Sequence, residues 1–243
     1  MIKITNLAKK YGKLTVFESV DLLIKNRQAT LIVGINGSGK TTFLETLVGM
    51  RKADTGFVSL DGNPQSSVEF KKQIFYIPSD FYLPEFMTGS EYLNFTLERY
   101  EMADRALKDK LLDIYDLKTD QNKLIETYSF GMKKKLQIIA AIASKTSYII
   151  ADELLSGLDF EMSLLTLQLM REAVKKVGLV FVTHDQLTLE YFNDAIYLMQ
   201  NKRLTKYEGK VSILTEIIIQ ESKIDKKISE FQRYYFSSEV LPQ

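Results

Sequence analysis

Cysteine is absent from the chain and histidine occurs once, at His184. The first absence excludes disulfides, thiolate zinc sites and cysteine nucleophiles, and it fits a reducing compartment. The second excludes a cluster of histidine metal ligands. A charge excess is also lacking: Lys and Arg number 32 against 31 Asp and Glu. No broad field of one sign would hold the protein on nucleic acid or on an anionic membrane, so no nucleic-acid partner is expected. Long apolar runs are missing as well. IIAAIA, residues 138–143, falls far short of the roughly 20 residues a membrane span needs. The opening MIKITNLAKKYGK is too charged for a signal peptide. A cytoplasmic, non-spanning protein is therefore expected. There is no internal repeat and no low-complexity linker. What is present is a chain of 243 residues with 45% hydrophobic content, enough for one large domain or a domain with an inserted lobe.

Periodicity and turn residues give the organisation. IKITNL and DLLI read as strands flanking the turn KKYGK, and ATLIV as a buried strand that runs into a glycine-rich loop and a helix from about Lys40. FVSL, bracketed by Gly56 and Asp61-Gly62, is a further short strand. From about Ser90 the pattern turns helical: SEYLNFTLERY, then DRALKDKLLDIYDL, then a run from Gly131 to about Ala143. This predicts a helical lobe inserted between strands. SYIIAD and LVFVTHD then alternate with a helix over roughly Met162 to Val177, which is βαβ order and predicts a parallel sheet. The segment SILTEIIIQESKIDKKISEF reads as an amphipathic helix. Its apolar residues Leu214, Ile217, Ile224, Ile228 and Phe231 are expected to pack on the chain's own domain rather than on a partner.

GINGSGKTT, Gly34 to Thr42, fits Gly-x-x-x-x-Gly-Lys-[Ser/Thr] and lies between a predicted strand and a predicted helix, the context that makes the pattern informative. Glycines at 34, 37 and 39 let backbone amides turn inward on a β-phosphate. Lys40 can span β and γ groups, and the Thr41 hydroxyl can ligate Mg²⁺. Gly34, Asn36, Gly37, Ser38, Gly39, Lys40, Thr41 and Thr42 are the expected ATP-binding set. YIIADE, Tyr148 to Glu153, reads as a buried strand ending in two acids. Asp152 can hold Mg²⁺ through water, and Glu153 can polarise an attacking water, although adjacent acids after a strand also serve as a helix cap. LVFVTHD brings His184 to the end of another core strand. YSFGMKKKL, Tyr128 to Leu136, offers a hydroxyl, a glycine and a helix start, which is how an anion site is written. Lys133 to Lys135 are expected to form a solvated helix face.

Taken in this order, with SGLD just after YIIADE, these segments resemble the nucleotide-binding domain of ABC transporters from Tyr11 to about residue 210. The resemblance implies an α/β fold: a P-loop NTPase core with a mostly parallel sheet, an N-terminal antiparallel β subdomain and an inserted helical lobe at about 80–145. Residues 211–243 would be a C-terminal helical extension. It implies Mg²⁺-dependent ATP hydrolysis in a head-to-tail dimer, homodimer or with a related ATPase subunit, driving a separate transmembrane permease at the inner face of the membrane. Carried over residue by residue, Tyr11 stacks on adenine, Glu153 is the catalytic base, Asp159 is the acid that crosses between subunits and His184 contacts the γ-phosphate. Ser129 and Gly131 belong to the signature, usually Leu-Ser-Gly-Gly-Gln, written here Tyr128-Ser129-Phe130-Gly131-Met132. Phe130 is then expected to point away from the phosphate, toward the helical lobe or a partner. Ser-x-Gly-Met resembles the exporter branch more than the importers. In FYIPSDFYLPEF the family has a glutamine after the proline, where this chain has Ser79, a shorter Mg²⁺ ligand that would act through water. A soluble ABC ATPase acting on DNA or ribosomes, and a low-turnover nucleotide-binding regulator, are the alternative readings.

Overall fold

The computed structural model describes residues 1–222 and 224–237. Strands β1 (Ile2–Tyr11) and β2 (Leu14–Ile24) form an antiparallel hairpin. β3 (Ala29–Val33) is buried at every residue, as expected of a strand covered on both faces. Helix α1 (Lys40–Leu47) follows, then β4 (Thr55–Leu60) and the short β5 (Asn63–Pro64). β4 therefore includes Gly56 rather than starting after it. Helix α2 (Val68–Lys72), capped by the Ser67 hydroxyl, leads into β6 (Ile74–Ile77). Three helices come next: α3 (Gly89–Leu97), opened by a reciprocal cap between Thr88 and Glu91, α4 (Arg105–Ile114) and α5 (Phe130–Ala143). The alternating part consists of β7 (Tyr148–Asp152), α6 (Phe160–Ala173), β8 (Gly178–Val182), α7 (Gln186–Tyr191), β9 (Ala195–Gln200) and β10 (Arg203–Tyr207). Helical segments α8 (Val211–Ser222) and α9 (Ile224–Ser237) follow.

The strands make two sheets. One is antiparallel in the order β2-β1-β4-β5, and the other runs β10-β9-β3-β8-β7-β6, parallel throughout except for its β10–β9 edge. Because side chains alternate along a strand, β3, β7 and β8 feed two cores. Ile32, Ile150, Val180 and Val182 face the antiparallel sheet and α1, where they meet Ile2, Phe17, Phe43 and Leu47. Leu31, Val33, Ile149 and Phe181 face the other way and share a core with Leu93, Leu111, Leu136 and Ile139 of the three helices. The central sheet is thus clamped between a β layer and a helical layer, which fixes its C-terminal edge.

Two expectations need correction. The C-terminal run does not pack throughout on its own domain: Leu214 is buried in the helical-side core and Ile217 lies partly against it, whereas Ile224, Ile228 and Phe231 are exposed. Residues 238–243 of the expected extension lie outside the described residues. Nor do Lys133 to Lys135 form a solvated face. Lys133 pairs with Glu85 at 2.6 Å, Lys135 donates to the Tyr115 carbonyl at 3.2 Å, and Lys134 is fully buried. Lys134 stands four residues before Ile138 and seven before Ala141, both fully buried, and that spacing puts it on the inward stripe of α5. Among the described residues, no helix is long and apolar enough to cross a membrane.

Candidate functional site

Strand order brings the site together. β3, β8 and β7 are neighbours, with Ile32 beside Val182 and Val182 beside Asp152. The Gly34–Thr42 loop, His184 and the Asp152-Glu153 pair therefore leave the sheet side by side at its C-terminal edge, the place where open α/β sheets bind ligands. Apolar strands carry these polar groups to that edge and stop there.

The loop backbone demands its glycines. Gly39 has φ +102°, and a Cβ on it would come within 2.6 Å of the Val16 side chain on β2. Lys40 is buried, with its Nζ donating to the carbonyls of Gly34 and Ile35 at 2.8 and 2.9 Å. Burial pulls its pKa below the ordinary lysine value, and the fields of Glu153 and Asp152 oppose this. Asn36 and Gly37 are exposed, as is Thr41, at the first turn of α1. The Ser38 Oγ is buried without a hydrogen-bond partner among the described residues. Thr42 uses its carbonyl to accept from the Thr46 hydroxyl.

Asp152 is buried, and its Oδ2 likewise has no hydrogen-bond partner. A buried carboxylate oxygen left unpaired is costly and marks an oxygen meant for a ligand. Burial pushes the Asp152 carboxyl up, against the pull of the Thr41 hydroxyl and the Lys40 charge. Glu153 takes a left-handed backbone, φ +53°, which a residue with a Cβ adopts only when its surroundings hold it there; its amide donates to the Val182 carbonyl at 3.0 Å. Its carboxyl is also pushed up, first by burial and then by Asp152. His184 Nε2 lies 3.5 Å from Glu153 Oε1, and burial, aided by Lys40, lowers its pKa. The imidazole is therefore neutral at pH 7 and can donate to the Glu153 carboxylate. Among the described residues there is no group of three His, Cys, Asp or Glu that could hold a metal alone. The oxygen donors Asp152 and Thr41, whose hydroxyl reaches the Asp152 carboxyl, are nevertheless of the kind that fits Mg²⁺, which takes one or two carboxylates and completes its shell with substrate phosphates and water.

The signature segment is built differently. Ser129 caps α5, its Oγ accepting from the Met132 amide at 3.3 Å. Phe130 is half exposed, with its ring edge-on to Phe81 at 4.4 Å, in line with an orientation toward the helical side. The same ring covers Gly157: a Cβ there, on a backbone at φ +80°, would fall 1.8 Å from a Phe130 ring carbon. A Cβ on Gly131 would come 2.9 Å from the Gly157 carbonyl. Asp159 caps α6 by accepting from the Met162 amide at 2.9 Å. No hydrogen bond or ion pair of the described residues joins Ser129, Gly131 or Asp159 to the Gly34–Thr42 loop.

Tyr11, exposed at the end of β1, has cations over its ring: Lys9 Nζ at 5.3 Å and the Arg51 guanidinium at 5.9 Å from the centroid. Ser79 is half-buried, directly after Pro78. The Pro78 carbonyl accepts from Lys134 Nζ at 3.3 Å, and the same ammonium lies 5.3 Å from the Phe81 ring centroid. Burial draws the Lys134 pKa down to about 8, opposed by Asp152, Glu153 and Asp80. Sequence reasoning passed over this lysine beside the acid pair because a run of three lysines masks the apolar stripe that one of them interrupts.

A glycine-rich phosphate loop between β3 and α1, with acids and a histidine on the adjoining strand ends, defines a P-loop nucleotide-binding protein. Residues 17–156, more than half of the chain, match the model of the ABC transporter family, and the chain belongs to that family. It is similar to a putative ABC transporter ATP-binding protein of Bacillus cereus, at 30% identity over 94% of this chain and 43% of that protein. It is also similar to the spermidine/putrescine import ATP-binding protein PotA of Haemophilus influenzae, at 27% identity over 85% of this chain and 57% of that protein. The chain thus spans about half the length of these curated relatives. A solved structure described as the ATP binding subunit of an ABC transporter superposes with a TM-score of 0.80 at 24% identity, covering 96% of this chain and 99% of that one, and so shares its fold.

Proposed function

We propose that the chain is the Mg²⁺-dependent ATP-hydrolysing subunit of an ABC transporter, which pairs with its own copy or a related ATPase subunit and drives a separate permease from the cytoplasmic face. The observation that carries this reading is Asp152 Oδ2, buried and unpaired one strand from His184 and two from the phosphate loop. On this reading Lys40 leaves the Gly34 and Ile35 carbonyls for the β and γ phosphates, and the loop amides wrap the β-phosphate. Thr41, Asp152 and, through water, Ser79 would hold Mg²⁺, which when bound offsets the negative charge of the phosphates. Glu153 accepts the proton of the attacking water, and its raised pKa makes it a better base. Neutral His184 orients that carboxylate and contacts the γ-phosphate. Tyr11 offers its ring to adenine once a cation gives up one face.

Ser129, the Gly131 amide and the N-terminus of α5 supply the γ-phosphate contacts for a nucleotide bound by the other subunit, and Asp159 crosses to that subunit. Residues 1–210 form the ATPase domain on this reading, with the lobe at about 80–145 and the extension from 211. Export is the direction we assign, on the strength of the sequence Ser129-Phe130-Gly131-Met132, with the similarity to an import protein as the counterweight. Inside-out membrane vesicles that accumulate cargo on adding ATP support export, and vesicles that release it support import. The enzymatic reading is tested by ATP turnover: chelating Mg²⁺ should abolish it and adding Mg²⁺ back should restore it. A chain that binds ATP yet shows no turnover, with or without membranes from its own cells, contradicts it.

A further inference from the structure

Lys134 sits at the centre of the inward face of α5 with 0% of its surface exposed. A buried ammonium is normally matched by a carboxylate at ion-pair distance. Lys134 has no ion pair among the described residues; its Nζ donates to the Pro78 carbonyl and stands over the Phe81 ring. The charges whose fields reach it are Asp152, Glu153 and Asp80. An apolar side chain of the same length would fill this space at lower cost, so packing alone does not account for a cation here. The contacts around it share one pattern. Lys134 holds Pro78, Phe130 packs edge-on against Phe81, and Lys133 pairs with Glu85. Each ties the first turns of α5 to the segment that carries Ser79, which contains the exposed Tyr82.

We infer that Lys134 is a positioning residue of the hydrolytic site, its buried cation fastening the 78–85 segment to the helix that starts at Ser129. This rests on the ATP-hydrolysis reading above. The helix start and the Ser79 loop then move as one body, and a displacement at the signature is felt at Ser79. On this inference Lys134 acts through the Pro78 carbonyl and not on the reacting atoms.

The chain has no tryptophan, so Tyr82→Trp places a single fluorophore on the tethered segment. In that background Lys134→Met keeps the stem and removes the charge and the donor. We expect kcat to fall at least about tenfold with KM for ATP nearly unchanged, the ATP-dependent emission change to shrink by about half or more, and the melting temperature not to drop, since a desolvated charge has been removed. Lys134→Gln, which keeps a donor without the charge, guards against misfolding of the first variant and should also lose kcat. Parental kcat in either variant, or a full emission change in both, overturns the inference. A melting temperature lowered by more than roughly 5 °C in both makes the lysine purely structural and overturns it too. Failure of the underlying reading looks different: the parental chain would hydrolyse no ATP, or Lys40→Ala would hydrolyse as well as the parent.

Discussion

The strand ends around Gly34, Asp152 and His184 and the helix start at Ser129 both read as phosphate-binding in the sequence, yet they are constructed in opposite ways. At the strand ends, polar groups are left wanting: Asp152 Oδ2 and Ser38 Oγ are buried without partners, and Lys40 borrows loop carbonyls. At the helix start the side chains are already engaged. Ser129 caps α5, Asp159 caps α6, and Phe130 lies on Gly157 and Phe81. Unsatisfied buried groups cost stability and are kept where a ligand satisfies them. Satisfied, packed groups make a stiff surface, suited to meeting a second molecule that already holds its ligand. On the proposed reading the first region binds the nucleotide, and the second is presented to the other subunit.

Lys40→Ala should separate the two regions most sharply. It removes the only lysine of the loop, and losing a charge-assisted contact to phosphate costs about 3 kcal/mol, or on the order of 100-fold in ATP affinity by calorimetry; unchanged affinity would remove the loop from the binding region. Ser129→Arg should act on the other side only. ATP affinity of the single subunit stays within about twofold, because no hydrogen bond or ion pair among the described residues joins the helix start to the loop, while ATP-driven association measured by light scattering is lost. Gly157→Ala tests the packing at the helix start. An L-residue at φ +80° is strained and pushes the Phe130 ring aside, so thermal unfolding should show a loss of about 1–3 kcal/mol with ATP affinity unchanged. Phe130→Gly should cost least. Its ring is 51% exposed, so truncation removes roughly 1 kcal/mol of burial, and ATP-driven association should persist; its disappearance would mean that the ring itself meets the partner.

How much of this was legible follows from what each residue answers to. The Gly34–Thr42 loop was readable because backbone geometry dictates its letters, and β3, β7 and β8 because strands buried on both faces must be apolar throughout. Strand order, which puts His184 between the loop and the acid pair, is set by tertiary pairing and could be placed only by resemblance. Lys134 and its neighbours were misread since composition averages over helix faces, whereas burial depends on a single position's phase. The C-terminal run had the right spacing for a helix, but spacing does not say whether an apolar stripe has a surface to cover, and only Leu214 and the residues around it found one. The cation pair over Tyr11 depends on Arg51 folding back from beyond α1, which no local pattern announces.

The central claim, that Glu153 is the base of an ATP-hydrolysing site, is tested most directly by Glu153→Gln, with ATP binding and single-turnover hydrolysis measured on the same sample. Glutamine keeps the shape beside His184 but cannot take a proton. The account predicts ATP affinity equal to the parent's and hydrolysis slowed by about 10²–10⁴-fold. Hydrolysis at the parental rate would contradict it.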